Sequence, residues 1–346
     1  MVKTLRKILY PVSIIYGTVI KVRNYLYNKQ ILKSTKFKIS TIVVGNLSVG
    51  GTGKTPQIEY LIRLLKDKYK IAVLSRGYKR KSKGFVLANE TVNAEIIGDE
   101  PYQYYQKFST IKIAVDADRV NGIEELNRLE EKPEVILLDD AYQHRKVEGG
   151  FNILLTAYDD LYIDDKMLPT GNLREQVSGA KRAQVIIVTK CPNDLSEDTQ
   201  LNIEKKLHTI HNQIVFFTGI EYDTKLKGSS ELLVEDLKSY EVLLVSGIAN
   251  PAPLTQFLQD KKMKFEHLKF PDHYFFTDGD IAEIELKFGK LKSKNKIILT
   301  TEKDYVRIFD KFKNLHYLPI KTKFINHKKD FDNLILEYVG TSSRNS

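Results

Sequence analysis

Disulfide chemistry is closed to this chain. It has a single cysteine, Cys191, in 346 residues, so neither an intrachain disulfide nor a Cys-x-x-Cys metal site can be built. Tryptophan is absent, and Tyr (19) and Phe (16) carry the aromatic content. Internal repeats and low-complexity blocks are also missing. With 42% hydrophobic and 28% charged residues, the composition is that of a folded protein and excludes disorder. The length suits about two domains. What the chain has in excess is positive charge: 54 Lys and Arg against 44 Asp and Glu, a net +10. That balance favours anionic partners, whether nucleotide phosphates, nucleic acid or anionic lipid. A lysine-rich surface kept soluble by charge would give the same count.

Long hydrophobic runs are lacking as well. The stretch Ile8–Ile20 (ILYPVSIIYGTVI) is uncharged and mostly apolar, yet it falls short of the roughly 18–20 residues that span a bilayer. No small-residue cleavage site follows it clearly, which argues against a secretory signal. Arg6 and Lys7 precede it, Lys21, Arg23, Lys29 and Lys33 follow, and Tyr10, Tyr16, Tyr25 and Tyr27 are interleaved. An apolar helix with basic ends can lie among lipid headgroups. Residues 1–35 are therefore expected to form an amphipathic membrane-associating segment. The alternative is an N-terminal helix packed on its own domain.

From Lys38 onward, short apolar runs alternate with helical stretches. Strands are expected at Ile39–Val44, Ile71–Leu74, Ile111–Val115, Val135–Leu138, Asn152–Leu155, Val185–Val188 and Ile214–Phe217. These runs are rich in Val and Ile and mostly unalternating, which suits strands buried on both faces. Ile58, Leu61, Ile62 and Leu65 fall at helix spacing. The pattern restarts at Val242–Val245, followed by a helix near Pro253–Lys261, a strand near Phe265–Phe270, a helix near Asp278–Phe288 and the strand Ile297–Thr300. Glu221–Ser239, polar and containing Gly228-Ser229-Ser230, reads as the junction, and the polar tail Gly340–Ser346 is expected to fray. The fold class is α/β: a mostly parallel sheet in residues 36–220 and a second, smaller α/β lobe in 221–346.

The most informative segment is Ile42-Val43-Val44-Gly45-Asn46-Leu47-Ser48-Val49-Gly50-Gly51-Thr52-Gly53-Lys54-Thr55-Pro56. A strand runs into a glycine-rich loop, then Gly-Lys-Thr, then an amphipathic helix, as in P-loop NTPases. Glycines let backbone N–H groups curl around phosphate oxygens, and the helix N-terminus adds partial positive charge. Ser48, Val49, Gly50, Gly51, Thr52, Gly53, Lys54 and Thr55 are the expected nucleotide site. Lys54 can reach the β- and γ-phosphates, and the Thr55 hydroxyl can bind Mg²⁺. Ser48 stands where the usual pattern begins with Gly. Downstream, Val135-Ile136-Leu137-Leu138-Asp139-Asp140 is an apolar strand ending in carboxylates, where such an enzyme holds Mg²⁺ or its water. Either aspartate could make the metal contact. Val188-Thr189-Lys190-Cys191-Pro192 resembles a guanine-reading element in position, but Pro192 replaces the base-reading Asp, so ATP is the expected nucleotide.

Further segments fall outside general P-loop logic. They are Ser75-Arg76-Gly77-Tyr78, Gly98-Asp99-Glu100-Pro101, Asp118-Arg119, Asp139-Asp140-Ala141-Tyr142-Gln143-His144-Arg145, Leu168-Pro169-Thr170-Gly171-Asn172-Leu173-Arg174-Glu175, Ser246-Gly247-Ile248-Ala249-Asn250-Pro251, Asp272-His273-Tyr274 and Thr301-Glu302-Lys303-Asp304. In this order, behind the amphipathic N-terminus, they resemble the tetraacyldisaccharide 4′-kinase (lipid A 4′-kinase) family, from the N-terminus to about Asp304. Tyr142 stands where Phe is common in that family. The resemblance implies transfer of the ATP γ-phosphate to the 4′-hydroxyl of a tetraacyldisaccharide 1-phosphate. It also implies peripheral or monotopic attachment to the cytoplasmic face of the bacterial inner membrane, and the chain is expected to act as a monomer.

The resemblance also implies catalytic roles for Asp99 and His273, with Asp99 the candidate base acting together with the imidazole, alongside Asp139 and Asp140. Arg76, Arg119, Arg145 and Arg174 are candidates to bind the γ-phosphate or the substrate's 1-phosphate; surface ion pairs would be their ordinary alternative. Glu175 either completes the metal shell with Thr55, Asp139 and Asp140 or pairs with an arginine. His144 is expected to orient Asp140 or to hold the strand end, and Thr301–Asp304 to be structural. The rival readings are a P-loop switch or metallochaperone NTPase acting on a protein partner, and a nucleic-acid-dependent ATPase. No nucleic-acid-binding module is recognisable, so no nucleic-acid partner is expected.

Overall fold

The structure is a computed structural model that describes residue 6 and residues 8–209, 212–272, 274–308 and 311–344, with side chains as far as residue 341. Two sheets organise the chain. Nine strands form the larger, in the spatial order Ile320–Phe324, Ile214–Tyr222, Val185–Thr189, Phe151–Ala157, Ser40–Asn46, Val135–Asp139, Ile71–Ser75, Lys112–Val115 and Val86–Leu87. Neighbours run parallel except at the two edges, where 320–324 and 86–87 are antiparallel to their partners. The unalternating apolar runs have a direct cause. Ile42 and Val44 enter a core with Ile58, Leu61 and Ile62 on one face, while Val43 enters another with Leu138 and Leu154 on the opposite face. A strand covered by helices on both sides must be apolar throughout.

The strand Ser40–Asn46 lies at the middle of this sheet, its Val44 in register with Asp139 on one side and Ile153 on the other. Parallel pairing brings the carboxyl ends of all three strands to one edge, where open α/β sheets place their ligands.

A second sheet of six strands has the order Leu232–Leu233, Lys225–Gly228, Leu315–Tyr317, Lys296–Thr300, Glu241–Ser246 and Lys264–Lys269. Its two faces are covered by separate apolar clusters, one around Leu244 and Leu258, the other around Leu243 and Ile284. The division expected at residue 221 meets a chain that crosses back. Ile320–Phe324 pairs with Ile214–Tyr222, and the helix Lys328–Arg344 sends Phe331, Ile335 and Val339, all fully buried, into the core of the larger sheet. Residues 320–344 therefore lie with the first lobe, and the tail expected to fray from Gly340 stays helical to Arg344. The polar stretch read as a junction supplies two strands of the second sheet, Lys225–Gly228 and Leu232–Leu233.

The N-terminal helix Tyr10–Asn28 docks by its small and polar face. Ser13 and Gly17 are buried, and Ser13 Oγ donates to Thr170 Oγ1 at 2.7 Å. Tyr16 donates to the Arg174 carbonyl at 3.1 Å, and Asn24 to Glu175 Oε1 at 2.7 Å. The apolar side chains point the other way: Ile15 is 67% exposed, Val19 60% and Ile14 55%. No described helix is long and apolar enough to cross a membrane.

Charge joins the lobes. The helix Asp99–Lys107 of the first packs on the helix Glu302–Ile308 of the second. Between them Lys107 Nζ sits 2.6 Å from Glu302 and 2.7 Å from Glu59, and Gln103 donates to both carboxylates. Burial, then repulsion from Glu59, pushes the Glu302 carboxyl up to about 7 against the pull of Lys107. Between its ordinary 4.5 and about 7, the folded form keeps a proton that the unfolded chain has released. The contribution of this group to stability is therefore present at low pH and lost as pH rises through that window. Glu302→Gln should gain thermal stability relative to the parent as pH is raised from 4.5 to 7, followed as paired melting midpoints. A difference that stays constant with pH would contradict the assignment.

Candidate active site

The glycine-rich loop is shaped by its backbone. Gly53, with φ +83°, caps the helix Lys54–Leu65 in the left-handed region, where a side chain would be strained. Gly45 makes a close approach: a Cβ there would lie 2.6 Å from the Tyr142 Cβ. The loop is held from two directions. Val49 N–H donates to Asn172 O at 2.8 Å and Arg174 N–H to Leu47 O at 2.7 Å, so the Leu168–Glu175 segment lines its outer side. Thr189 Oγ1 donates to Thr52 O at 2.8 Å from the neighbouring strand end. Ser48, Thr52 and Thr55 are buried, while Gly50 and Gly51 are exposed, so the crest of the loop is open to a ligand.

The two successive aspartates have different surroundings. Asp140, in the left-handed region at φ +45°, receives both Nη atoms of Arg174, at 3.2 and 2.8 Å, with Lys54 Nζ at 3.7 Å. Burial works to raise its carboxyl, but Lys54 and then Arg174 outweigh it and hold it down at about 2. Asp139 is fully enclosed. Ser75 Oγ donates to its Oδ2 at 3.2 Å, and its buried Oδ1 has no partner among the described residues. Burial, then Glu100 and Asp140, push it up to about 7 against Lys54 and Arg119. One aspartate is saturated with positive charge and the other is short of it. Beside the second, the Thr55 hydroxyl donates to Glu100 Oε1 at 3.2 Å. This hard-oxygen set of two carboxylates and a hydroxyl fits Mg²⁺, which takes few protein ligands and keeps water and phosphate oxygens.

The other expected residues scatter around this centre. Arg119 is 2% exposed and runs beneath the strand ends, donating to Asp139 O at 3.1 Å. Burial lowers it to about 10 against the pull of Asp139 and Asp140. Arg145 turns to the N-terminal helix, donating to Asn24 O at 2.9 Å and Asn28 Oδ1 at 2.7 Å. Arg76 is exposed in a surface groove with Tyr78 and Lys79. Both Glu175 oxygens are occupied by Arg182, at 2.5 and 2.9 Å, and one of them also by Asn24. Of the two roles open to Glu175, the structure places it in the arginine pair. His144 is driven down to about 4 by burial, then by Arg119 and Arg76, so its imidazole is neutral at neutral pH. Asp99 begins its helix in a bond with Arg307 of the second lobe. His273 lies outside the described residues.

Three residues with a place here were not singled out from the sequence. Asn46, at the strand end, accepts from Arg174 Nη2 and stands 3.5 Å from Lys54 Nζ. Glu100 shares a motif with Asp99, and only the first acid of that pair drew a role. Arg307 follows Thr301–Asp304 by three positions, one helical turn, which is the only signal that could have found it.

The family model described as tetraacyldisaccharide-1-P 4′-kinase matches residues 5–340. A tetraacyldisaccharide 4′-kinase of Flavobacterium johnsoniae is 57% identical over 338 residues, 97% of each chain. One of Bacteroides thetaiotaomicron is 45% identical, across 99% of this chain and 95% of the relative. Among solved structures, the crystal structure described as the apo form of LpxK from Aquifex aeolicus in complex with ATP superposes with a TM-score of 0.78 at 33% identity, covering 97% of this chain and 99% of that one.

Proposed function

The chain belongs to the tetraacyldisaccharide 4′-kinase family, and from that premise we propose how its own residues perform the reaction. It is an ATP-dependent kinase of lipid A biosynthesis that phosphorylates the 4′-hydroxyl of tetraacyldisaccharide 1-phosphate. The Aquifex aeolicus neighbour was solved with ATP, and ATP is the nucleotide assigned to the loop Ser48–Thr55. The triphosphate lies along the helix N-terminus with Lys54 at its β- and γ-phosphates. Thr55, Asp139 and Glu100 would hold Mg²⁺, which neutralises charge on the β- and γ-oxygens when bound. Asp140, already gripped by Arg174, fixes Lys54 instead of binding metal. The protein-acting and nucleic-acid-dependent readings gain nothing from the relatives.

The single observation that carries this reading is the Thr55–Glu100 hydrogen bond. It fastens the start of the helix Asp99–Lys107 to the phosphate site, so Asp99, one residue earlier, stands at the same edge. There its carboxylate takes the proton of the acceptor hydroxyl as that oxygen attacks the γ-phosphorus and ADP departs. His273, in the segment Asp272–Tyr274 of the second lobe, is assigned as its partner. Arg76, exposed in its surface groove, remains for a substrate phosphate.

The acceptor is a lipid, and the exposed apolar face of the N-terminal helix is the surface that meets its bilayer. We place that contact at the cytoplasmic face of the inner membrane, where ATP is available. The opposite face of the same helix holds Arg174 and Glu175 through Tyr16 and Asn24, which links the proposed lipid surface to the segment that clamps Asp140.

Two experiments test these assignments. With γ-labelled ATP and tetraacyldisaccharide 1-phosphate, Asp99→Asn should lose about 10²–10⁴-fold in transfer rate while ATP binding survives; an undiminished rate would remove Asp99 as the base. Ile15→Asp with Val19→Asp should abolish co-flotation with vesicles containing anionic phospholipid. Flotation equal to the parent would remove the helix as the membrane contact.

A further inference from the structure

Three charged side chains of the short helix Glu302–Ile308 reach the helix that carries Asp99. Glu302 pairs with Lys107 at 2.6 Å, Lys303 with Glu100 at 3.6 Å, and Arg307 with Asp99 at 2.5 Å. The third of these differs in kind from the first two. Arg307 is only 7% exposed in its side chain, and both its Nε, at 3.1 Å, and its Nη2, at 2.5 Å, donate to the same oxygen, Asp99 Oδ2. Among the described residues nothing donates to Oδ1. The third nitrogen, Nη1, donates to the Tyr274 carbonyl at 3.4 Å and stands 3.5 Å from Asp304 Oδ1. Asp304 is itself anchored, accepting from Gly247 N–H at 2.9 Å and Thr301 Oγ1 at 2.7 Å. One guanidinium therefore joins three parts of the molecule: the first-lobe carboxylate, the Asp272–Tyr274 segment and the Thr301–Asp304 turn.

A fork of donors meets a carboxylate most often by sharing both oxygens. Here the grip on one oxygen fixes the carboxyl plane, and no described residue donates to the second oxygen. A general base needs that combination, because a proton acceptor must be held in one orientation yet keep a lone pair for the substrate.

We propose that Arg307 is a positioning residue for phosphoryl transfer, holding Asp99 by Oδ2 so that Oδ1 takes the proton of the acceptor hydroxyl. The proposal rests on Asp99 as the base. In the step, the acceptor O–H bond breaks toward Oδ1, the new oxygen–phosphorus bond forms, and the bond to the ADP oxygen breaks. Arg307 gains and loses no proton. Because Arg307 belongs to the second lobe, the base is correctly set only when the lobes are together, which ties their packing to the chemistry.

The test compares Arg307→Ala, Arg307→Lys and Asp99→Asn in the labelled-ATP assay with the lipid acceptor, each variant checked by its melting midpoint. Arg307→Ala should lose about 10²-fold in kcat, the scale set by misplacing a reacting group, with KM for ATP within twofold of the parent. Millimolar guanidinium chloride should restore part of that rate in Arg307→Ala and none in Asp99→Asn. Should the alanine variant fail to fold, Arg307→Lys supplies the reading. A single ammonium keeps the charge and loses the two-nitrogen grip, so kcat falls while KM for ATP holds. A folded Arg307 variant with kcat within twofold of the parent, or a loss in which KM for ATP rises in step and guanidinium restores nothing, overturns the proposal. Full activity in Asp99→Asn would instead overturn the base assignment beneath it.

Discussion

The arrangement depends on how positive charge is shared between two adjacent aspartates at the end of a central strand. Lys54 and Arg174 both converge on Asp140, and Asn46 accepts from the same arginine. That clamp fixes the loop lysine, the Leu168–Glu175 segment and the strand end as one unit. It takes up Lys54 and Arg174, so Asp139 is left enclosed beside Glu100 and Asp140; its own burial and then their repulsion outweigh Lys54 and Arg119. A buried carboxylate in that position is costly unless a cation arrives. A divalent cation held there, as proposed for Mg²⁺, would relieve an electrostatic penalty already present in the fold.

The same economy of contacts extends outward. The segment that supplies Arg174 is also the seat of the N-terminal helix, through Ser13–Thr170 and Tyr16–Arg174. On the other side, Thr55 leads to Glu100, and the helix beginning at Asp99 leads across the lobe boundary to Lys303 and Arg307. The phosphate site therefore lies between the N-terminal helix, whose apolar face is exposed, and a second lobe, and each is joined to it by named hydrogen bonds. This geometry suits a kinase whose two substrates arrive from different phases, ATP from water and the disaccharide from a bilayer.

Much of this was legible in the amino-acid order. The central strands announced themselves, all seven expected in 36–220 and those at Val242–Val245 and Ile297–Thr300, because burial on both faces demands continuous Val, Ile and Leu. The short strands Val86–Leu87, Lys225–Gly228, Leu232–Leu233 and Leu315–Tyr317 did not. The loop around Gly53–Lys54 is legible because phosphate binding needs backbone amides and few side chains satisfy it. The return of 320–344 to the first lobe was not legible: Lys321 and Lys323 make that edge strand read as polar, and its pairing with Ile214–Tyr222 is a non-local contact. Glu175 was ambiguous for a similar reason, since its arginine partner, Arg182, and Asn24 are fixed by tertiary packing. Arg307 was invisible because a lone arginine on a helix carries no chemistry until its partner is known.

Metal binding is where the central claim can be met most directly. Mn²⁺, standing for Mg²⁺, can be titrated onto the ATP-bound protein and followed by electron paramagnetic resonance in Asp139→Asn and Asp140→Asn. If charge is divided as described, Asp139→Asn weakens Mn²⁺ binding strongly, while Asp140→Asn leaves it near the parent value and lowers ATP affinity instead. The reverse pattern, with Mn²⁺ lost on changing Asp140 and retained on changing Asp139, would contradict the account.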